Sequence, residues 1–262
     1  MESSGVEKMP VLFVGHGSPL NILLDNGFTR SLEKIAGELP TPRAIMVISA
    51  HWLTRGTFVG CALRPEQIYD FYGFPEELYR VSYRPSGAPE IARRLTELGG
   101  SARIGCSPRG LDHASWAVLK HMYPEADIPV FEMSLDSGRP EDFHFELAHE
   151  FSFLRREGVL LIGSGNVVHN LGRIDFEDID APAYDWALEA DGQIKRWLLE
   201  KNRRALAGFP TAGRTGALAA PTNDHYLPML YAAGMREDDE AIEFFHEGFQ
   251  NGSISMRSFR IG

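Results

Sequence analysis

The chain is poor in cysteine: Cys61 and Cys106 are the two thiols in 262 residues, isolated from each other and outside any C-x-x-C pattern. That usage predicts neither a disulfide scaffold nor a thiolate zinc site, and it fits a reducing cytoplasm. Long hydrophobic runs are missing as well. No stretch approaches the roughly 18 apolar residues that a membrane span needs. Met1 to Lys8 carries no basic segment leading into an apolar one, so no secretory leader is expected. Positive charge is also short, since 26 Lys and Arg stand against 36 Asp and Glu, a formal net charge of −10. Phosphate backbones and anionic bilayers are held by clustered Lys and Arg, so nucleic acid and membrane are disfavoured as partners and a small molecule is favoured. There is no repeat of solenoid period, no low-complexity tract and no composition shift that would mark a linker. With 44% hydrophobic and 24% charged residues, positions 1–262 read as one globular α/β domain.

Apolar strands that run straight into histidine are the chain's most informative feature. Pro10-Val-Leu-Phe-Val-Gly-His-Gly-Ser-Pro19 reads as a buried strand opening into a turn that carries His16. The outline recurs at Ala44-Ile-Met-Val-Ile-Ser-Ala-His51 and at Val159-Leu-Leu-Ile-Gly-Ser-Gly-Asn-Val-Val-His169. Helical patterns lie between the strands at 28–39, 88–98, 115–122, 141–157 and 184–207, which gives β-α-β crossovers and a mostly parallel sheet. Residues 241–245 and 253–261 pattern as a late antiparallel pair. The expected architecture is therefore a three-layer α/β sandwich. If the strands before His16 and His51 are neighbours, both imidazoles can reach one ion.

Of nine histidines, His16, His51, His113, His169 and His225 fall in turns rich in Gly, Ser, Asn or Asp, where functional groups on a rigid scaffold tend to lie. Taken singly, each is explained as a hydrogen-bonded structural residue; taken together, they point to a metal or acid–base site. His144 and His149 are five apart on a helix and miss the i, i+4 spacing needed to clamp one ion. His121 and His246 need only solvation or a local bond. Competing motifs fail: Gly163-Ser-Gly165 lacks the third glycine of a dinucleotide-binding turn, and neither Ser18 nor Ser115 sits in a nucleophile turn. Asp112 and Ser115 read as helix caps, as do Thr222 or Asn223 before a later helix. The aromatic segment Ile68-Tyr-Asp-Phe-Tyr-Gly-Phe-Pro75 suits an ordered loop with apolar walls.

With these marks laid out, the sequence resembles the class III extradiol ring-cleavage dioxygenases, in the 4,5-DOPA dioxygenase-like branch. The likeness rests on Gly15-His-Gly-Ser-Pro19, Ser49-Ala-His-Trp52, Asp70-Phe-Tyr-Gly-Phe-Pro75, Asp112-His113 with Ser115-Trp116, Gly165-Asn-Val-Val-His-Asn170 and Asp224-His-Tyr-Leu-Pro228. It implies a non-haem Fe(II) enzyme that binds a catechol and inserts O2 beside the diol to give a muconic semialdehyde. His16, His51 and His225 match the metal ligands. His169 matches the acid–base histidine, which the resemblance also allows as a ligand, and His113 the histidine that hydrogen-bonds substrate or oxygen. Phe71, Tyr72 and Phe74 would wall the substrate, with Asn166 and Tyr226 as polar contacts. The late ligand here is His225, with Asp224 beside it, where the best-understood relatives carry a carboxylate; an all-histidine set suits zinc as well as iron. A zinc hydrolase and a non-catalytic binding protein on the same scaffold are the alternatives.

Overall fold

In the computed structural model, which describes residues 8–98 and 100–262, eight strands form one sheet. The leader reading of residues 1–7 lies outside the described residues. The strands are β1 (Val11–Gly15), β2 (Ala44–Thr54), β3 (Thr57–Gly60), β4 (Ile104–Ser107), β5 (Val130–Asp136), β6 (Val159–Gly165), β7 (Ile242–His246) and β10 (Ser258–Ile261), in spatial order β4-β3-β5-β2-β6-β1-β10-β7. A short separate pair, β8 (Phe249–Gln250) and β9 (Ile254–Ser255), stands beside it. The centre is parallel from β5 through β2 and β6 to β1, and the late strands β7 and β10 add antiparallel at one edge. This is the expected mostly parallel sheet with a late antiparallel pair.

Helices α1 (Gly27–Glu38), α2 (Glu76–Arg80), α3 (Pro89–Glu97), α4 (His113–Met122), α5 (Glu141–Phe151), α6 (Asp185–Leu199), α7 (Arg203–Gly208), α8 (Gly213–Ala219) and α9 (Leu227–Gly234) connect the strands. Because successive strand residues face opposite sides, the central strands feed two cores. Val11, Phe13, Met46, Ile48, Val159 and Leu161 pack into one, beneath residues of α3, α5, α6 and α9. Leu12, Val14, Ile45, Val47, Leu160 and Ile162 pack into the other, with α1 and α4. Three layers follow directly from that alternation.

Several local expectations are corrected. The helix expected over 184–207 breaks after Leu199: Lys201 takes φ +53°, and the Asn202 side chain accepts from Ala205 N–H to start α7. Neither Thr222 nor Asn223 caps α9 through its side chain, because Thr222 is bonded to Asp224 and Asn223 to Glu141. Cys61 and Cys106 form a disulfide. They lie 45 residues apart, and β3 pairs in parallel with β4, setting Gly60 against Ser107; sequence spacing carries no trace of that adjacency.

Candidate metal centre

β1 and β2 are not neighbours, contrary to the simplest expectation; β6 lies between them. His16 and His51 nevertheless meet, reaching across the C-terminal end of β6 until their Nε2 atoms are 3.3 Å apart. A bulge makes this possible. Between Ile48 and Leu53 the register of β2 advances five residues while β5 advances two, from Met133 to Leu135, so the segment carrying His51 swings off the ladder. His225 arrives from the turn before α9. That turn presses on β6 so closely that a Cβ at Gly165 would lie 2.2 Å from His225 O, and Asn166 N–H donates to the same carbonyl at 2.8 Å. His16, His51 and His225 each offer a ring nitrogen, all within 4.8 Å of one another.

The hydrogen bonds assign the ring tautomers. Ser164 has one hydroxyl proton and donates it to Ala114 O at 2.7 Å, so at 3.0 Å it must accept from His16 Nδ1–H. Asp224 Oδ1 accepts from His225 Nδ1–H at 3.0 Å, and His51 Nδ1 lies 3.4 Å from Asp70 Oδ2. His16 and His225 thus spend Nδ1–H on an acceptor, and His51 turns its Nδ1 to the Asp70 carboxylate, so that the three rings present Nε2 inward. Two such nitrogens 3.3 Å apart need either a cation or a shared proton between them, and with both protons held outward a cation fills that place. Metal-binding histidines are held in this way, with the outer nitrogen bonded to a carboxylate or hydroxyl and the inner one free. Burial, reinforced by the neighbouring histidines, pushes the pKa of both His16 and His51 well down, so both rings are neutral ligands in waiting. The residues fit a divalent cation.

Two further histidines flank the trio. His113 donates N–H and Nδ1–H to Asp70 Oδ1 at 3.0 and 2.9 Å, and its ring centroid stands 4.2 Å from that of His51. Burial opposes ionisation of Asp70, but its bonds to His113 outweigh this and hold the carboxyl below its usual range. His169 stacks flat on His225, with centroids 3.6 Å apart and planes within 5°. Burial, then His225, depresses His169 to about 2. It is therefore neutral throughout the physiological range and does not titrate near working pH in this structure. It is not among the nitrogens that converge with His16, His51 and His225.

Other expected contacts fall elsewhere. Phe71 lies edge-on to His113 and Phe74 packs on Phe71, which gives the site an apolar flank. Tyr72 is 92% exposed and walls nothing. Tyr226 is wholly buried and donates its hydroxyl to Leu206 O, so it is a core residue. Asn166 is buried, and its amide donates to Ser255 O, bracing β9 instead of facing a substrate.

Sequence reasoning missed the support behind His51 and His113. Asp112 does not cap α4 with its carboxylate; it accepts from Ser49 Oγ at 2.8 and 2.9 Å and from Arg109 Nη2 at 3.1 Å. Ser49 Oγ also accepts from His51 N–H, and Arg109 donates to His51 O. Glu132 accepts from Asp112 N–H and from Ser115 Oγ, so Ser115 braces β5 and does not cap. Burial, then the charge of Asp112, pushes the Glu132 carboxyl well up. A signal was available: Glu132 is the one charged residue inside the strand run Val130-Phe-Glu-Met-Ser-Leu135, and a charged residue on a strand buried on both faces needs a partner.

A mostly parallel α/β sheet with imidazoles converging at the C-terminal side of its central strands defines a metalloenzyme-like class. The chain belongs to the family described as the catalytic LigB subunit of aromatic ring-opening dioxygenase, which it matches over residues 11–261. It is 43% identical over 260 residues to the 4,5-DOPA dioxygenase extradiol of Escherichia coli (strain K12), covering 97% of this chain and 95% of that protein. It is 34% identical over 258 residues to the 4,5-DOPA dioxygenase extradiol of Beta vulgaris, covering 95% and 94%. A crystal structure of an uncharacterized Escherichia coli K12 protein superposes with a TM-score of 0.84 at 40% identity, covering 97% of this chain and all of that one. The protein is accordingly an enzyme of the ring-opening dioxygenase class.

Proposed function

We propose that the enzyme opens the ring of a DOPA-like catechol beside its diol with O2, giving a muconic semialdehyde, and that it depends on Fe(II) held by His16, His51 and His225. The observation that carries the reading is the convergence of three Nε2 lone pairs whose outer nitrogens are each bonded or closely faced by an acceptor. When bound, the ion supplies a Lewis acid and a template that lowers the pKa of the catechol hydroxyls and sets the two reactants side by side.

The chain's own residues do the rest. His169, stacked at the rim on His225, is the acid–base residue of this reading: the negative charge of a bound catecholate beside it raises its depressed pKa, so that a ring nitrogen takes a catechol proton and later returns it. His113, fixed by Asp70, offers Nε2 as a hydrogen-bond acceptor toward a hydroxyl of the substrate. Phe71 and Phe74 shield that side from water. No helix among the described residues is long and apolar enough to cross a membrane, and the proposed setting is the cytoplasm.

The direct test is an anaerobic Fe(II)-loaded sample mixed with DOPA or protocatechuate and then with air. A growing yellow semialdehyde band with matching O2 uptake supports the proposal. Activity of the zinc form on esters, with none of the Fe(II) form on any catechol, replaces it with a hydrolase. Failure to bind any metal replaces it with a binding protein.

A further inference from the structure

We propose that Asp70 is a positioning residue that sets the ring tautomers of His51 and His113 together, so that one carboxylate aims both Nε2 atoms into the metal centre. The inference rests on the metal-centre reading given above. An ionised carboxylate is an acceptor only. Oδ1 accepts the backbone N–H of His113 at 3.0 Å and its Nδ1–H at 2.9 Å, while Oδ2 faces His51 Nδ1 at 3.4 Å. His113 must therefore carry its proton on Nδ1, and the charge of Oδ2 facing His51 Nδ1 favours the same tautomer there, which leaves each ring a lone pair on Nε2. On His51 that lone pair meets His16 Nε2.

Asp70, His51 and His113 also offer donor atoms within 4.8 Å of one another, as a second cation site would. The hydrogen bonds argue for support instead. The His113 Nδ1–H already occupies Oδ1, and a cation there would have to displace that proton while the three converging Nε2 atoms stand beside it as a better donor set.

The carboxylate is held for the task. Its side chain is 17% exposed although it stands on a surface loop. Ile68 N–H bonds to Leu111 O, and Trp116 Nε1–H bonds to Ile68 O, which docks the loop on the start of α4. Gln67 ties the far side of the loop to Val81 O and Tyr83 N–H. Phe71, the next residue, lies edge-on to His113. The segment that the sequence presents as an aromatic wall is thus also the mount for the acceptor serving two histidines.

Asp70→Asn keeps the shape but replaces one acceptor oxygen with an NH2 donor, so one of the two rings meets a donor at Nδ1 and must move its proton to Nε2. Zinc alone, titrated against a chromophoric chelator, is expected to bind roughly 10–100-fold more weakly to this variant than to the parent. Two-bond 15N–1H spectra of the imidazoles read the tautomers directly. The parent shows Nδ1–H at His51 and His113, Asp70→Asn switches at least one of them to Nε2–H, and Asp70→Glu, with two acceptor oxygens, recovers the parent pattern. Circular dichroism confirms that all three chains are folded.

Zinc affinity within threefold of the parent, with both tautomers unmoved in Asp70→Asn, overturns the inference while leaving the metal centre intact. A parent chain that takes up no zinc overturns both.

Discussion

Ser164→Ala isolates the support of a single ligand. Ser164 is wholly buried at the end of β6, donates to Ala114 O and accepts from His16 Nδ1–H. Removing the hydroxyl costs Ala114 little, because that carbonyl lies in the first turn of α4 and has a helical partner. The His16 Nδ1–H is the group left unpaired, and a buried unsatisfied donor costs about 1–3 kcal/mol. That sets the expected loss of folding stability, read by urea denaturation.

Metal affinity falls as well, because nothing then prevents His16 from moving its proton to Nε2. Loss of such an outer partner weakens binding roughly 10–100-fold, or about 1.4–2.7 kcal/mol. Competition between the protein and a chromophoric chelator for zinc measures this. The effect should vanish in a His16→Ala background, because Ser164 acts on the metal only through His16. Unchanged zinc affinity in Ser164→Ala, or an equal loss when His16 is already absent, refutes the tautomer argument.

Four further outcomes are expected. His169→Ala loses turnover but retains most of its metal; equal loss of both in a metal assay would make His169 a ligand. Tyr226→Phe deletes the hydrogen bond to Leu206 O and costs roughly 1 kcal/mol of stability, with kcat/KM for the catechol unchanged. Burial opposes ionisation of Glu240, but Arg155 and Lys8 pull its carboxyl from 4.5 down to about 2. Its folded pKa is depressed, so this stabilisation is complete above the unfolded value and disappears as pH falls toward 2. Because Arg155 is fully buried against it, Glu240→Gln should cost about 3–5 kcal/mol near neutrality, and the gap between variant and parent should shrink in denaturation curves at pH 3. Gly165→Ala, whose methyl would lie 2.2 Å from His225 O, should lower both the thermal midpoint and the metal content.

The fold was legible because a short unbroken apolar run is a local signal of a strand buried on both faces. Val11 to Val14 and Ile45 to Ile48 alternate between two cores, and each run ends at the histidine it delivers. His16 and His225 were legible as turn residues at a strand or helix end, and His51 as the histidine after an apolar run, although β2 continues through it to Thr54. What stayed hidden depends on which strands pair. No spacing announces that β6 separates β1 from β2, that the bulge in β2 re-aims His51, or that Cys61 lies against Cys106. Asp70 was in view but was read by its aromatic neighbours, since a carboxylate in a loop is ordinarily solvated. Tyr226 and Asn166 were misread in the opposite sense: they adjoin or precede site residues in sequence, but their side chains turn away into the core.

The central claim is that His16, His51 and His225 hold one divalent cation among them. Metal content per chain, measured after anaerobic loading with Fe(II) and removal of excess ion, tests it most directly across the parent and the single variants His16→Ala, His51→Ala and His225→Ala. One ion per parent chain, and its loss from each variant, is the predicted result. A parent that retains no iron, or a variant that retains a full equivalent with undiminished affinity, contradicts it.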